Sequence, residues 1–266
     1  MDQSLPIEIL MSSNNFSNLQ LRLISALAYL PPLSIVFLVG DIWFIFTAAF
    51  VAYIGVHELL SLLQKAGWSP LISQGSIASA ALVVSIQFEI SNQFLIWILT
   101  ACLLAIFSFS YRKSLRAVGA GTITFLSILY ICLPLTCLVL LRQGDNGLQW
   151  ATIALLVTFA NDTGAYSVGK MIGTHKLAPQ ISPNKTWEGA IGGVCSAIIC
   201  TITLTYISAG IPNSLLISVL LGAGIAICAQ AGDLIESAAK RLANQKDSGT
   251  IIPGHGGILD RLDSLI

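Results

Sequence analysis

Carboxylate, hydroxyl and amine side chains recur at helical spacing near the end of the sequence. Asp233, Ser237 and Lys240 lie four and then three residues apart, so an α-helix would carry all three on one face. A glycine-rich turn follows, and glycine adopts backbone conformations that other residues resist. We therefore expect this turn to bring Asp260 and Asp263 back toward the same helix face.

Carboxylates and cations at one place are typical of a site for a hard divalent cation and phosphate groups. Mg²⁺ is commonly held by one or two carboxylates, and phosphate oxygens and water complete its coordination. His255 lies in the same glycine-rich turn, where a single histidine is as compatible with a structural role as with a catalytic one. The pattern therefore predicts phosphate chemistry that is assisted by magnesium.

A second polar segment, 161–189, combines several glycines with Asp162 and the lysines Lys170, Lys176 and Lys185. This composition favours the binding of an anion, because lysines supply positive charge and glycines let the backbone approach a ligand. An alternative interpretation is that the lysines only anchor the chain at the membrane surface. The sequence alone leaves both interpretations open.

Part of this second segment has nearly the spacing of a P-loop, from Gly164 to Lys170. Met171 stands where a P-loop has the serine or threonine that binds magnesium, and an apolar run precedes the segment in place of a β-strand. We therefore reject the P-loop interpretation. Ser182 and Pro183 instead predict the N-cap and first residue of a helix, whose positive end, with Lys185 nearby, would suit an anion.

The elements that must position these residues are membrane helices. Hydrophobic residues make up 55% of the 266 residues and charged residues only 10%, against about 25% in an average soluble domain. An ordinary water-soluble enzyme is thereby excluded. The apolar runs are about 17 to 23 residues long, enough to cross about 30 Å of hydrocarbon. They predict an all-α, polytopic integral membrane helical bundle with eight spans, at about 19–40, 42–64, 70–87, 94–110, 119–141, 148–166, 189–208 and 214–236.

Three prolines lie inside these apolar runs. Pro134 should kink the fifth span, and the adjacent Pro31 and Pro32 should kink or split the first. These two spans are expected to be the least regular.

The lysines and arginines predict the orientation of the spans. With the N-terminus inside, the inner side carries twelve of the 13 basic residues and the outer side only Arg142. The segment 167–188 and everything after 236 should then be cytoplasmic. Four acidic residues within the spans lie near the expected cytoplasmic ends of those spans: Glu58, Asp162, Asp233 and Glu236. Intramembrane acids usually face a cavity, a partner or a substrate, whereas a proton or ion pathway would need acids at mid-membrane.

Other compositional features narrow the class of protein further. Zero net charge, with 13 basic and 13 acidic residues, argues against nucleic acid as a partner. The six cysteines all lie in apolar runs without metal-ligand spacing, so we expect neither disulfides nor a zinc site. The expected organisation is a polar cytoplasmic tail at 1–18, a structural transmembrane half at 19–147 and a catalytic transmembrane half at 148–266.

The C-terminal motif carries a resemblance to a known family. The 27 positions from Ser237 to Asp263 read Ser-x-x-Lys-Arg-x4-Lys-Asp-x-Gly-x2-Ile-Pro-x-His-Gly-Gly-Ile-x-Asp-Arg-Leu-Asp. This motif resembles the signature of phosphatidate cytidylyltransferases, the CDP-diacylglycerol synthases, and 161–189 resembles the family's other marked segment. The resemblance is strong over about 150–266, whereas the first half resembles the family by topology and by Glu58. Family members usually continue into a final transmembrane helix, and the sequence stops at Ile266, so the ninth helix expected from the family is absent from it.

The resemblance implies an integral membrane enzyme that joins CTP and phosphatidic acid into CDP-diacylglycerol and releases pyrophosphate. It implies Mg²⁺ as a cofactor, and it leaves a potassium ion and a homodimer open. Asp233 and Asp260 match the metal-holding aspartates of the family. The basic residues expected around the triphosphate and the lipid phosphate are Lys185, Lys240, Arg241 and Lys246. The other residues expected to bind substrate are Asp162, Ser237, Asp247, His255, Arg261 and Asp263.

Two other functions remain as alternatives. A CTP-dependent lipid-alcohol kinase would use similar acids and cations but would transfer the γ-phosphate to a hydroxyl. A transporter of anionic solutes would be favoured if the glycine-interrupted spans formed discontinuous helices at the membrane midplane. The C-terminal motif argues against the kinase, and the position of the acids argues against the transporter.

Overall fold

A computed structural model describes residues 18–88, 93–112, 115–208, 211, 214–249, 251 and 256–266. The tail predicted at 1–18 lies outside these residues except for Asn18, and so does His255. The described helices are α1 Asn18–Val39, α2 Asp41–Lys65, α3 Ile72–Val84, α4 Gln93–Arg112, α5 Leu115–Gln143, α6 Gly147–Ile172, α7 Trp187–Ile207, α8 Leu215–Leu242 and α9 Leu259–Leu262. A 3-10 turn, Ser85–Phe88, extends α3, and two strands, β1 Lys176–Ala178 and β2 Ser182–Thr186, lie between α6 and α7.

The predicted helical bundle is confirmed, but the count of eight spans is not. Among the described residues, four helices are long and apolar enough to cross a membrane, within Asp41–Lys65, Gly119–Gln143, Trp187–Ile207 and Leu215–Leu242. Many large apolar side chains on the helices are exposed to the surroundings, as expected where lipid replaces water. These features identify a membrane protein.

The first helix does not split at its proline pair. α1 runs without interruption through Pro31 and Pro32, and α5 likewise continues through Pro134. Each proline removes a backbone N–H donor, but neighbouring helices and local adjustment allow membrane helices to accept the loss. The prediction that the pair would divide the first span is therefore wrong.

The all-α prediction is also incomplete, because β1 and β2 form an antiparallel hairpin in which Lys176 pairs with Thr186. The helix predicted to begin at Ser182 and Pro183 begins instead at Trp187. Thr186 is the N-cap, and its Oγ1 accepts a hydrogen bond from the Gly189 N–H at 3.1 Å. Proline is tolerated at 183 because it lies in a short strand of a two-stranded sheet.

Two hydrophobic cores hold the bundle together. One joins α2, α3 and α5 through buried residues such as Val56, Val83 and Ile128, and the other joins α6, α7 and α8 through Val157 and Ala197. Leu259 of α9 and Ala239 of α8 belong to the first core. The C-terminal segment therefore packs against helices from the first half of the chain.

Helices α6 and α7 pack closely because small residues face each other. A Cβ on Gly189 would lie 2.8 Å from the Ala165 carbonyl oxygen, and one on Gly192 would overlap the Val168 side chain. Small residues allow helix backbones in membranes to approach in this way. The close packing sets the positions of Asp162 on α6 and of the hairpin that leads into α7.

Candidate active site

A cavity of about 520 Å³ lies between α6, the β-hairpin, α7 and α8. Its polar lining includes Asp162 from α6, Asn184 and Lys185 from β2, and Gln230 and Asp233 from α8. The two polar segments singled out in the sequence therefore meet in space. The cavity lies at the end of the bundle where α6 and α8 finish and α7 begins.

Asp233 carries the first charge pair of the cavity. Its Oδ2 lies 2.6 Å from Lys185 Nζ, and its Oδ1 accepts a hydrogen bond from Ser237 Oγ at 3.3 Å. The Asp233 side chain is 30% exposed and the Lys185 side chain 24% exposed, although the Lys185 Nζ atom itself is buried against Asp233. The expected stacking of Asp233 and Ser237 on one face of α8 is present.

An amide pair at the cavity wall was missed by the sequence analysis. Gln230 Nε2 donates to Asn161 Oδ1 at 2.8 Å and to the Ala190 carbonyl at 3.0 Å. Asn161 Nδ2 in turn donates to Asp162 Oδ1 at 3.1 Å. This chain of bonds ties α6, α7 and α8 together and orients the Asp162 carboxylate. Its sequence signal is an amide side chain inside an apolar run, which is costly unless it finds partners.

A second charge cluster lies deeper, around Lys240. Its Nζ lies 3.0 Å from Glu236 Oε1 and donates to Asp260 Oδ1 at 2.9 Å. Glu236 is fully buried, and its Oε2 has no hydrogen-bond partner in the part of the chain that the structure describes. The predicted return of Asp260 toward the face of α8 is therefore present, with Lys240 as its contact.

Asp260 also organises the segment that carries it. Its Oδ2 accepts from the Ser248 N–H at 2.8 Å, from Ser248 Oγ at 2.9 Å and from the Gly257 N–H at 2.9 Å. Burial alone would raise the pKa of this carboxyl, but the hydrogen bonds from Lys240, Gly257 and Ser248 outweigh burial and lower its pKa. Asp260 is thus held as an anion with both oxygens engaged.

Glu58 extends this network into the first half of the chain. It is buried on α2 and accepts hydrogen bonds from the Ile258 and Leu259 N–H groups and from Ser248 Oγ, at 3.1, 2.9 and 3.1 Å. The sequence analysis noted Glu58 only as an acid in the second span. Its contacts, about 200 residues away along the chain, could not be read from local spacing.

Asp263 lies near the partly exposed acids of the cavity. Burial and the negative charges of Asp233 and Asp162 together raise its pKa to about 6, against the hydrogen bond from the Ser264 N–H. Carboxylates that repel one another in this way fit a hard divalent cation, which would relieve the repulsion. No three His, Cys, Asp or Glu side chains among the described residues form a ready-made metal site.

Several predicted site residues lie at the edge of this arrangement. Arg241 is exposed, and its Nε donates to the Ile181 carbonyl of the hairpin at 3.1 Å. Lys246, Asp247 and Arg261 are exposed as well. Their expected roles at the phosphates remain predictions, and the expected role of His255 concerns a residue outside the described part of the chain.

The fold and the site together define a membrane-embedded protein with lysines and carboxylates gathered at one end of a helical bundle, a set of side chains suited to phosphate ligands. The chain belongs to the Cytidylyltransferase family, whose family model matches residues 20–266. The resemblance drawn from the C-terminal motif is thereby confirmed.

Individual relatives are similar over most or part of the chain. The phosphatidate cytidylyltransferase of Staphylococcus haemolyticus (strain JCSC1435) is 34% identical over 253 residues, covering 92% of this chain and 92% of the relative. The enzyme of that name from Bacillus subtilis (strain 168) is 43% identical over 147 residues, covering 55% of this chain and 54% of the relative. The one from Staphylococcus aureus (strain COL) is 46% identical over 124 residues, covering 46% of each chain.

Proposed function

We infer that the chain is a phosphatidate cytidylyltransferase, which converts CTP and phosphatidic acid into CDP-diacylglycerol and pyrophosphate. The observation that carries this inference is the Lys185–Asp233 ion pair, which lines the cavity, in a chain that belongs to the Cytidylyltransferase family. The Lys240–Asp260 pair lies further along α8. The relatives that carry this enzyme name support the choice of phosphatidate as the acceptor. Nothing in the described residues favours the lipid-alcohol kinase or the transporter.

In the proposed reaction, an oxygen of the lipid phosphate attacks the α-phosphorus of CTP. A new P–O bond to the lipid phosphate forms, and the bond from the α-phosphorus to the β-phosphate oxygen breaks, so pyrophosphate leaves with that electron pair. A phosphate monoester is already ionised at neutral pH, so the reaction requires no strong general base. Catalysis then depends on positioning and on electrostatic stabilisation of the developing charge.

The partly exposed lysine of the cavity is suited to the substrate phosphates. Lys185 lines the cavity from β2 beside Asp233, so a substrate phosphate can replace Asp233 as the partner of the Lys185 ammonium group. Lys240 is mostly covered, with 14% of its side chain exposed, and lies between Glu236 and Asp260, where it holds the position of Asp260. Arg241, on the exposed side of α8, and Lys246 are proposed to act at the periphery of the triphosphate.

We propose magnesium as the cofactor. When bound, Mg²⁺ would neutralise charge on the triphosphate and on the leaving group. Asp233 remains a predicted ligand, and Asp263 is the second carboxylate that we propose, because burial and the nearby charge of Asp233 both raise its pKa and a cation would relieve that repulsion. Asp260 was predicted as a ligand from the sequence, and it would need to release a hydrogen-bond donor to bind a cation.

The site is proposed to face the cytoplasm, where CTP is available. The distribution of basic residues supports this orientation: Lys65 ends α2, and Lys240 and Arg241 lie in the last turn of α8. Arg142, the one basic residue expected outside, is bonded to the Phe37 and Leu38 carbonyls near the end of α1. Cysteines placed at the exposed Gln180 and Asn244 should react only with reagents on the cytoplasmic side, and one at Asp145 only from outside. Labelling of the cysteine in Gln180→Cys by a reagent on the outer side would overturn the proposed orientation.

Incubation of the purified chain with phosphatidic acid and labelled CTP tests the proposed function. Magnesium-dependent formation of CDP-diacylglycerol and pyrophosphate is the expected result. Release of CDP with a phosphorylated lipid would identify the kinase instead, and uptake of an anion by proteoliposomes without turnover would identify the transporter. The control is the Lys185→Gln variant, which should be incorporated into lipid vesicles as the wild type is but should turn over slowly when CTP is below saturation.

A further inference from the structure

We propose that Glu58 is a positioning residue, which fastens Ser248 and the backbone of Ile258 and Leu259 to α2 and so holds Asp260 and the adjoining Asp263 at the active site. This inference rests on the proposed function for its activity assay, although its structural part can be measured separately. Glu58 itself lies among the loop and the helices and does not line the cavity. It acts on the reaction through the backbone that it holds.

The contacts of Glu58 have the form of a clasp around one carboxylate. Its Oε1 accepts from the Ile258 N–H, and its Oε2 accepts from the Leu259 N–H and from Ser248 Oγ. Two of these donors are the consecutive backbone N–H groups of Ile258 and Leu259. A buried charge is costly without such partners, so the carboxylate and the loop stabilise each other.

The glycines of the loop show how closely it wraps the carboxylate. A Cβ on Gly249 would lie 2.5 Å from Glu58 Oε1, and one on Gly257 would overlap both Glu58 Oε2 and Ser248 Oγ. Only a residue without a side chain fits at either position. The glycines of the motif therefore serve the approach of the loop to Glu58, in addition to allowing the turn.

Ser248 links this clasp directly to Asp260. Its Oγ lies 3.1 Å from Glu58 Oε2 and 2.9 Å from Asp260 Oδ2, and a hydroxyl with one hydrogen can donate to only one of them at a time. The Ser248 N–H bonds to Asp260 in either case. A displacement of the loop from Glu58 would therefore be passed to Asp260 and to Lys240, which Asp260 contacts.

Substitutions at Glu58 separate a role as acceptor from a role in filling space. Glu58→Gln keeps the volume but turns an amide N–H toward backbone donors, whereas Glu58→Asp keeps both acceptor oxygens and loses one methylene. We expect kcat to fall by about thirtyfold or more in Glu58→Gln and less in Glu58→Asp, with the magnesium concentration for half activation raised in both. A space-filling role would rank the two variants in the opposite order.

Asp41→Asn is the matched control, because Asp41 lies on the same helix about 25 Å from Glu58, at 1.5 Å per residue, and at the opposite end of α2. Its kcat and its magnesium dependence should equal those of the wild type. Ser248→Ala keeps the backbone donors and removes the hydroxyl, so it tests the same clasp if Glu58→Gln fails to fold. Its effect should be smaller in a Glu58→Gln background than alone, since coupled residues are not additive.

A spin label at the exposed Ile251 measures the loop without relying on turnover, in full-length protein that lacks native cysteines. The label should become more mobile in Glu58→Gln and in Ser248→Ala and should not change in Asp41→Asn. Wild-type turnover within about twofold in Glu58→Gln, or an unchanged label, would overturn the proposal. An inactive wild type with the expected label mobilities would instead refute the proposed function and leave the clasp supported.

Discussion

Replacing Asp260 with asparagine should reduce both turnover and stability, whereas the same replacement at Asp233 should reduce turnover alone. Asp260 Oδ2 accepts three hydrogen bonds and Oδ1 accepts one from Lys240. An amide has one acceptor oxygen and one donor nitrogen, so it can satisfy one side and must turn an N–H toward donors on the other.

The expected loss in the free energy of unfolding differs between the two variants because Asp260 and Asp233 differ in burial. Loss of a charge-assisted hydrogen bond costs about 1.5–3 kcal/mol and the donor–donor contact about 1 kcal/mol more, so the free energy of unfolding of Asp260→Asn should fall by about 3 kcal/mol. At Asp233 the carboxylate is 30% exposed and its partner Lys185 is 24% exposed. Solvent replaces much of the lost interaction there, so the fall should stay below about 1 kcal/mol.

Unfolding of each variant can be followed by tryptophan fluorescence while sodium dodecyl sulfate is titrated into detergent micelles. Turnover is measured in the same preparations from labelled CTP and phosphatidic acid, and both variants should lose more than about a tenfold factor in rate. Equal losses of unfolding free energy in the two variants, or a loss under about 1 kcal/mol in Asp260→Asn, would refute the view that Asp260 holds its loop together.

Three further substitutions test separate parts of the structure. Lys185→Gln should raise the KM for CTP about tenfold or more through loss of a phosphate contact. Its control is Lys176→Gln, at an exposed lysine on the paired strand, which should match the wild type in the same assay. A KM in Lys185→Gln equal to that of the wild type would remove Lys185 from the substrate site. Arg142→Leu should lower the free energy of unfolding by about 1–2 kcal/mol by freeing the two carbonyls at the end of α1, with kcat unchanged, and a loss of kcat would contradict a purely structural role. In metal-free buffer, Asp263→Asn should stabilise the protein by about 2 kcal/mol above pH 6. Folding raises the pKa of the Asp263 carboxyl to about 6, so the wild-type protein loses stability as rising pH ionises this group, and the variant does not. The gain in the free energy of unfolding should vanish below about pH 4, and a gain independent of pH would refute this origin.

The chemistry of the site could be predicted from local spacing where one helix carries the residues. Asp233, Ser237 and Lys240 share a face of α8 because the helical repeat places them there. The glycine-rich turn also predicted the return of Asp260, since glycine makes such a turn possible. Ser182 and Pro183 misled the same local reasoning, because a hairpin that pairs β1 with β2 competes with the helix start that these residues favour.

Distant pairings were beyond local reasoning. The Gln230–Asn161 amide pair joins α8 to α6, and no spacing rule connects residues so far apart in the chain. Glu58 was visible as a costly intramembrane acid, but the identity of its donors depends on how α2 packs against the C-terminal segment.

The sequence by itself determined three features: the protein is a helical membrane protein, one end of its bundle is polar, and certain side chains are available for phosphate chemistry. These features depend on hydropathy, charge and helical repeat, which are local properties of the chain. The tertiary structure decided which of those side chains meet: Lys185 with Asp233, Lys240 with Asp260 and Glu58 with the loop. The physical reason is that a buried charge requires a partner, and only the packing of α2, α8 and the hairpin selects which partner lies within reach.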